Sequence, residues 1–157
     1  MLTVRVRTHE ARVAYKARID ANTTFEHKVW GTWSFRPGIT QEDALKRFLS
    51  FIAWVAKDSD CHIQPDITAS NEGNHVHIHA IIKSTTYLSY RDVHSRWWRN
   101  LGLADHKIYD PSKGAAIYNA QPRHQVVVLD DPIVCGSNRC RNRRRGCVMK
   151  NRKRKTR

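Results

Sequence analysis

The sequence predicts an α+β protein in which a central antiparallel β-sheet is flanked by helices, and three observations lead to this class. Lys28 to Phe35, His62 to Ala69, His75 to Lys83 and Val126 to Leu129 are rich in β-branched or aromatic residues and read as strands. Residues 40–57 and 89–101 instead carry apolar positions at helical spacing. The strands from His62 and His75 are separated only by a turn at Ser70 to Asn74, which makes a hairpin. Helices interleaved with a hairpin suggest a sheet covered on one face, related to the ferredoxin-like folds, with the His75 strand central.

In chain order, residues 1–27 are polar and mixed. Leu2, Val4 and Val6 alternate there with Thr3, Arg5 and Arg7, as in an added edge strand or an ordered arm. A domain of residues 28–134 follows. Its first core strand stops at the turn signal Arg36-Pro37-Gly38. Thr40 then caps a helix whose first turn holds Glu42 and Asp43, where the helix dipole favours acids. Leu45, Phe48, Leu49, Ile52 and Val55 form its apolar stripe, which Phe51 and Trp54 widen. A hairpin centred on the Ser70–Asn74 turn places Asp66 near His79 and Thr68 near His77, with Glu72 and Gln64 as further acidic or polar neighbours. Ser89 opens a second helix that Gly102 closes, with Val93, Trp97 and Leu101 buried. After a short strand at Asp105 to Tyr109, Asp110 caps a third helix with Pro111 at its first position, running past Tyr118 to Pro122.

Charge is distributed unevenly over the 157 residues. The net formal charge is +14, yet residues 139–157 alone hold eight Arg and three Lys with no acid. Residues 135–157 therefore read as a basic, disordered tail with affinity for polyanions, nucleic acid above all, through residues such as Arg143, Arg144 and Arg145. Cys61 stands alone, and the spacing of Cys135, Cys140 and Cys147 matches no zinc ribbon, so free thiols in a reducing compartment are expected. No apolar run approaches the length of a membrane span, which predicts a soluble protein of the cytoplasm or nucleus.

Chemistry concentrates at Gly73-Asn74-His75-Val76-His77-Ile78-His79-Ala80-Ile81-Ile82. Strand residues alternate faces, so His75, His77 and His79 share one side and Val76, Ile78 and Ala80 the other. Neutral imidazole is the commonest metal ligand, and His77, His79, Asp66 and His75 are the candidate donors for a divalent ion. Further on, Gly114, Ala115 and Ala116 let the third helix lie close to the sheet, where Tyr118 can attack a phosphodiester bound beside the metal.

Two motifs carry a resemblance to the HUH endonucleases, in particular the small rolling-circle replication initiators. His77-Ile78-His79-Ala80-Ile81-Ile82 resembles their His-hydrophobe-His strand, and Tyr109 to Tyr118 resembles the helix that bears their catalytic tyrosine. The resemblance covers roughly residues 28–125. It implies Mg²⁺ or Mn²⁺ on His77 and His79 with Asp66 or a neighbour as third ligand, and Tyr118 as the single nucleophile. It also implies a 5′-phosphotyrosine, a free 3′-hydroxyl for a polymerase, and origin or hairpin single-stranded DNA as substrate. One position departs from the family pattern: Gln121 stands where many members carry lysine, so Lys113 and Arg123 are the candidate replacements near the DNA. The chain has no Gly-x-x-x-x-Gly-Lys-Ser/Thr phosphate loop, which implies a separate helicase and a host polymerase as partners. Two other classes compete: a non-catalytic nucleic-acid-binding protein with a degenerate site, and a zinc hydrolase built on His75, His77 and His79.

Overall fold

The computed structural model describes residues 2–4, 8–72, 75–95, 97, 102–128 and 134–135. Its strands are β1 (Leu2–Val4), β2 (His27–Ser34), β3 (His62–Glu72), β4 (His75–Ser84), β5 (Ala104–Ile108), β6 (Gln125–Val128) and β7 (Val134–Cys135). Its helices are α1 (His9–Asp20), α2 (Gln41–Asp58) and the short α3 (Ala115–Asn119). The protein is α+β, and one antiparallel sheet runs in the order β1-β6-β3-β4-β2-β5, with β7 beside β3. The histidine strand β4 is central, as its apolar alternation requires.

Alternation along β4 divides the core in two. Ile78, Ala80 and Ile82 join Trp33 of β2 and Ile63, Ile67 and Ala69 of β3 on one face, packed against Phe48, Phe51, Ile52 and Val55 of α2. Thr40 caps α2 as expected, its hydroxyl accepting from the Asp43 amide at 3.2 Å. On the other face Ile81 packs with Tyr15 and Ile19 of α1 and with Ala115, Ala116 and Ala120 of the α3 segment. Thus both faces of the sheet are covered, the second only in part.

α1 is an element that the polar reading of residues 1–27 did not anticipate. Its apolar face amounts to two buried residues, Tyr15 and Ile19, while Val13 on its surface is 45 % exposed. Such a helix relies on its Thr8 cap, the Lys16–Asp20 ion pair and docking on the sheet rather than on amphipathicity. β1 pairs with β6, which matches the expected edge strand.

Two predicted helices take other forms. The segment expected from Ser89 to Leu101 contains a π-helical turn at Arg91–Ser95, and residues 96 and 98–101 lie outside the described set. Val93 and Trp97 are nevertheless fully buried. The third helix is broken: a 3₁₀ turn at Pro111–Lys113, capped by Asp110, ends at Gly114, whose φ of +67° only glycine adopts readily, and α3 begins after it. Residues 136–157, with Arg143, Arg144 and Arg145, lie outside the described residues.

Candidate functional site

The site forms on the face of β4 opposite α2, where α3 and the turn after it come down onto the sheet. Antiparallel pairing sets serine and threonine around the imidazoles: Ser70 and Ser34 flank His77, while Thr68 and Thr32 flank His79. Ser34 Oγ lies 2.9 Å from His77 Nδ1 and Thr32 Oγ1 lies 2.9 Å from His79 Nδ1. These small hydroxyls fix both ring orientations and leave Nε2 as the nitrogen that faces away from β2. Ser70 Oγ approaches His79 Nε2 at 3.3 Å. The His77 and His79 rings lie 6.5 Å apart between centres, and His75, which is exposed, lies 6.4 Å from His77.

Tyr118 meets this row edge-on. Its ring centre is 5.4 Å from that of His79 and 6.2 Å from that of Trp30. The approach depends on small residues, since Ala115 and Ala116 are buried against the sheet, and on Trp30 Nε1 donating to Asn119 Oδ1 at 2.9 Å. A tight turn then carries the chain back, with the His124 amide donating to the Gln121 carbonyl at 2.9 Å. This turn swings Arg123 toward the phenol, where Nη2 stands 3.5 Å from Tyr118 Oη. Gln121 has already left the helix, so the expected match of Gln121 to a helical position three residues after Tyr118 does not hold. Of the two candidate replacements, Arg123 reaches the tyrosine. Lys113 is 75 % exposed and pairs with Asp110 at 3.4 Å.

His124 is a residue that sequence reasoning missed at this site. It is fully buried, its Nδ1 donates to the Asn119 carbonyl at 3.1 Å, and its ring stacks on His79 at 4.6 Å and lies 5.3 Å from Tyr118. A single histidine outside any periodic pattern gives no signal; only the turn after α3 brings it in. Burial, then the neighbouring His124 and His77, hold the His79 imidazole down to about 3, so it is neutral and keeps a lone pair throughout the physiological range.

Asp66 requires a correction. Strand pairing runs on to Glu72 and His75, which sets Thr68 opposite His79, Ser70 opposite His77 and Asp66 opposite Ile81. A shift of two residues keeps Asp66 on the histidine face but moves it toward the far end. There its carboxylate contacts Lys83 Nζ at 2.6 Å and Arg18 Nη2 at 2.8 Å, with Lys83 only 2 % exposed. Asp66 is therefore the anion of a buried ion pair under α1, not a neighbour of His79. Gln64 is likewise remote, opposite Lys83 and hydrogen-bonded to Asn22. Tyr87 and Tyr90, the alternative nucleophiles that the sequence offers before its second helix, make other contacts: Tyr87 lies edge-on to His27, and Tyr90 stacks on His94 and His106.

Tested against these donors, a divalent cation finds two imidazoles, His77 and His79, each with a hydroxyl at Nδ1, and Ser70 Oγ also stands at His79 Nε2. Among the described residues no group of three His, Cys, Asp or Glu side chains is arranged to hold a metal ion. The donor set is therefore two imidazoles whose ring centres lie 6.5 Å apart. No described helix is long and apolar enough to cross a membrane. The chain matches no family model, and neither a curated protein nor a solved structure resembles it to a significant degree.

Proposed function

We propose that the chain is a metal-dependent, sequence-specific single-stranded DNA nickase and joining enzyme of the HUH type, which starts rolling-circle replication of a small virus, phage or plasmid. The observation that carries this reading is the edge-on approach of Tyr118 to His79, from an element remote in sequence, with Arg123 at the phenol oxygen. A tyrosine packed for stability alone has no need to be only partly buried, with its hydroxyl beside a guanidinium and its ring against a histidine row.

His77 and His79 would hold the divalent cation, Mg²⁺ or Mn²⁺, which when bound polarises a phosphoryl oxygen and offsets the charge that builds up as phosphorus is attacked. The chain's own residues do the rest. Tyr118 Oη bonds to phosphorus and the bond from phosphorus to the 3′-oxygen breaks. The departing oxygen gains a proton to become the 3′-hydroxyl, the phenol proton passes to water, and Tyr118 keeps the 5′-phosphate. Arg123 offsets negative charge on the phenol oxygen and then on the phosphate, the task a lysine has in the family that the motifs resemble. Attack by a 3′-hydroxyl on the same linkage reverses the sequence and joins strands. Polymerase and helicase come from other chains.

A second reading, a single-stranded nucleic-acid-binding protein with a degenerate site, draws support from one observation. Asp66, the carboxylate expected at the metal, is committed to Lys83 and Arg18. A denaturing gel separates the two readings. Purified protein is incubated with labelled single-stranded hairpin oligonucleotides and manganese, alongside Tyr118→Phe and His77→Ala. The nickase gives a slow-migrating covalent product that chelator and both substitutions abolish; the binder shifts DNA on native gels and gives no such product with any oligonucleotide.

A further inference from the structure

Beside Tyr118 lies a cavity of about 220 Å³ that the nicking chemistry leaves unused. Trp30, Ala115 and Tyr118 supply apolar wall, and Lys107, Lys113 and Asp110 also line it. Sites that enclose a drug-sized molecule run from roughly 300 to 1,000 Å³, so this one suits a single flat ring system. The indole is held in place by its bond to buried Asn119. Lys107 Nζ sits over the Trp30 ring, 4.8 Å from its centre, so a face of the indole is reachable from the cavity's cationic side.

We propose that this cavity takes one unpaired base of single-stranded DNA, stacked on Trp30, while Lys107 and Lys113 meet the adjoining phosphates. An aromatic face flanked by ammonium groups fits a nucleotide strand in both of its parts, since every base has a π-face and every linkage a negative charge. Asp110 offsets part of the Lys113 charge, and Lys107 can leave the indole for a phosphate as the base enters. The strand is then anchored next to the nucleophile. This inference rests on the single-stranded DNA part of the reading above and is independent of cleavage.

Equilibrium binding in chelator, where no cleavage occurs, tests it on the full chain. The probes are a dye-labelled thymidine pentanucleotide and a pentamer with the same phosphate backbone and no bases. Tail contacts to phosphate act on both probes and divide out of the ratio of their affinities. The base-bearing probe is expected to bind about tenfold more tightly. Trp30→Phe should keep most of that ratio, Trp30→Leu should bring it close to one, and Lys107→Glu should weaken both probes with little change in ratio. A ratio near one in the unsubstituted chain, or one unchanged in a folded Trp30→Leu, overturns the proposal. Should Trp30→Leu fail to fold, a 5-iodouracil probe on the unsubstituted chain decides: photocrosslinking to Trp30 supports the proposal, and crosslinking confined to other aromatics overturns it. Base-dependent binding without a covalent product would remove the nicking reading and leave this one, whereas a covalent product with no base dependence would remove this one alone.

Discussion

Arg123 reaches Tyr118 Oη from a position beyond the helix. By the resemblance read from the motifs, Gln121 stands where a lysine is expected. In the structure the chain turns after Ala120 and delivers a guanidinium to Tyr118 Oη from Arg123. Arg123→Ala is therefore expected to slow formation of the covalent DNA product on the order of a hundredfold, as loss of a charge-stabilising donor does, while Arg123→Lys recovers part of it. Rates from quenched time courses check this; equal rates in all three proteins would remove Arg123 from the site. The imidazoles give a second expectation at this scale. His79 is held down to about 3 and His106 is lowered too, in both cases first by burial. The folded state then binds fewer protons than the unfolded chain, so stability is complete above about pH 6.5 and declines as pH falls from there toward 3. Urea midpoints of the metal-free protein across that range should fall, and fall less in His79→Gln. His77, His79 and Tyr118 were legible as residues because strand alternation and motif spacing mark them. His124 was not, since nothing local distinguishes it.

At the scale of elements, the hairpin explains why Asp66 was misplaced. Strand identity and facing followed from alternation, and a two-residue shift in register preserves facing, so composition had no means of separating the two registers. In the observed register Asp66 lies opposite Ile81 and pairs with Lys83 rather than with His79. Because that pair is buried, removing the cation leaves the carboxylate without its buried partner, with the largely exposed Arg18 still in contact. Lys83→Met is expected to cost about 3 kcal/mol in chemical denaturation, and Asp66→Asn to cost stability while leaving metal affinity unchanged. A fall in metal affinity with Asp66→Asn, measured by calorimetry, would return Asp66 to the metal site. α1 was illegible for the opposite reason: its buried face is two residues wide, so it shows little helical periodicity, and its place is set by Ile19 and by the Arg18–Asp66 contact across elements.

For the whole molecule, the two faces of the sheet divide the work. One carries the larger apolar core under α2; the other is partly covered by α1 and α3, with His75 at the exposed end of the histidine row. Interleaved helices and a hairpin made the α+β class and the central place of β4 readable, because burial on α2 demands an apolar stripe every second residue. Partial cover of the second face was not readable, as it depends on a polar helix and a break at Gly114. On the proposed reading, this half-open face presents Tyr118 as a nucleophile toward DNA. The most direct test of that reading is to digest the covalent protein–DNA product with trypsin and nuclease and to locate the attached nucleotide by mass spectrometry. A 5′-phosphonucleotide on Tyr118, within the peptide of residues 114–123, is expected. Attachment at Tyr87 or Tyr90, or no covalent product with any single-stranded oligonucleotide in manganese, would contradict it.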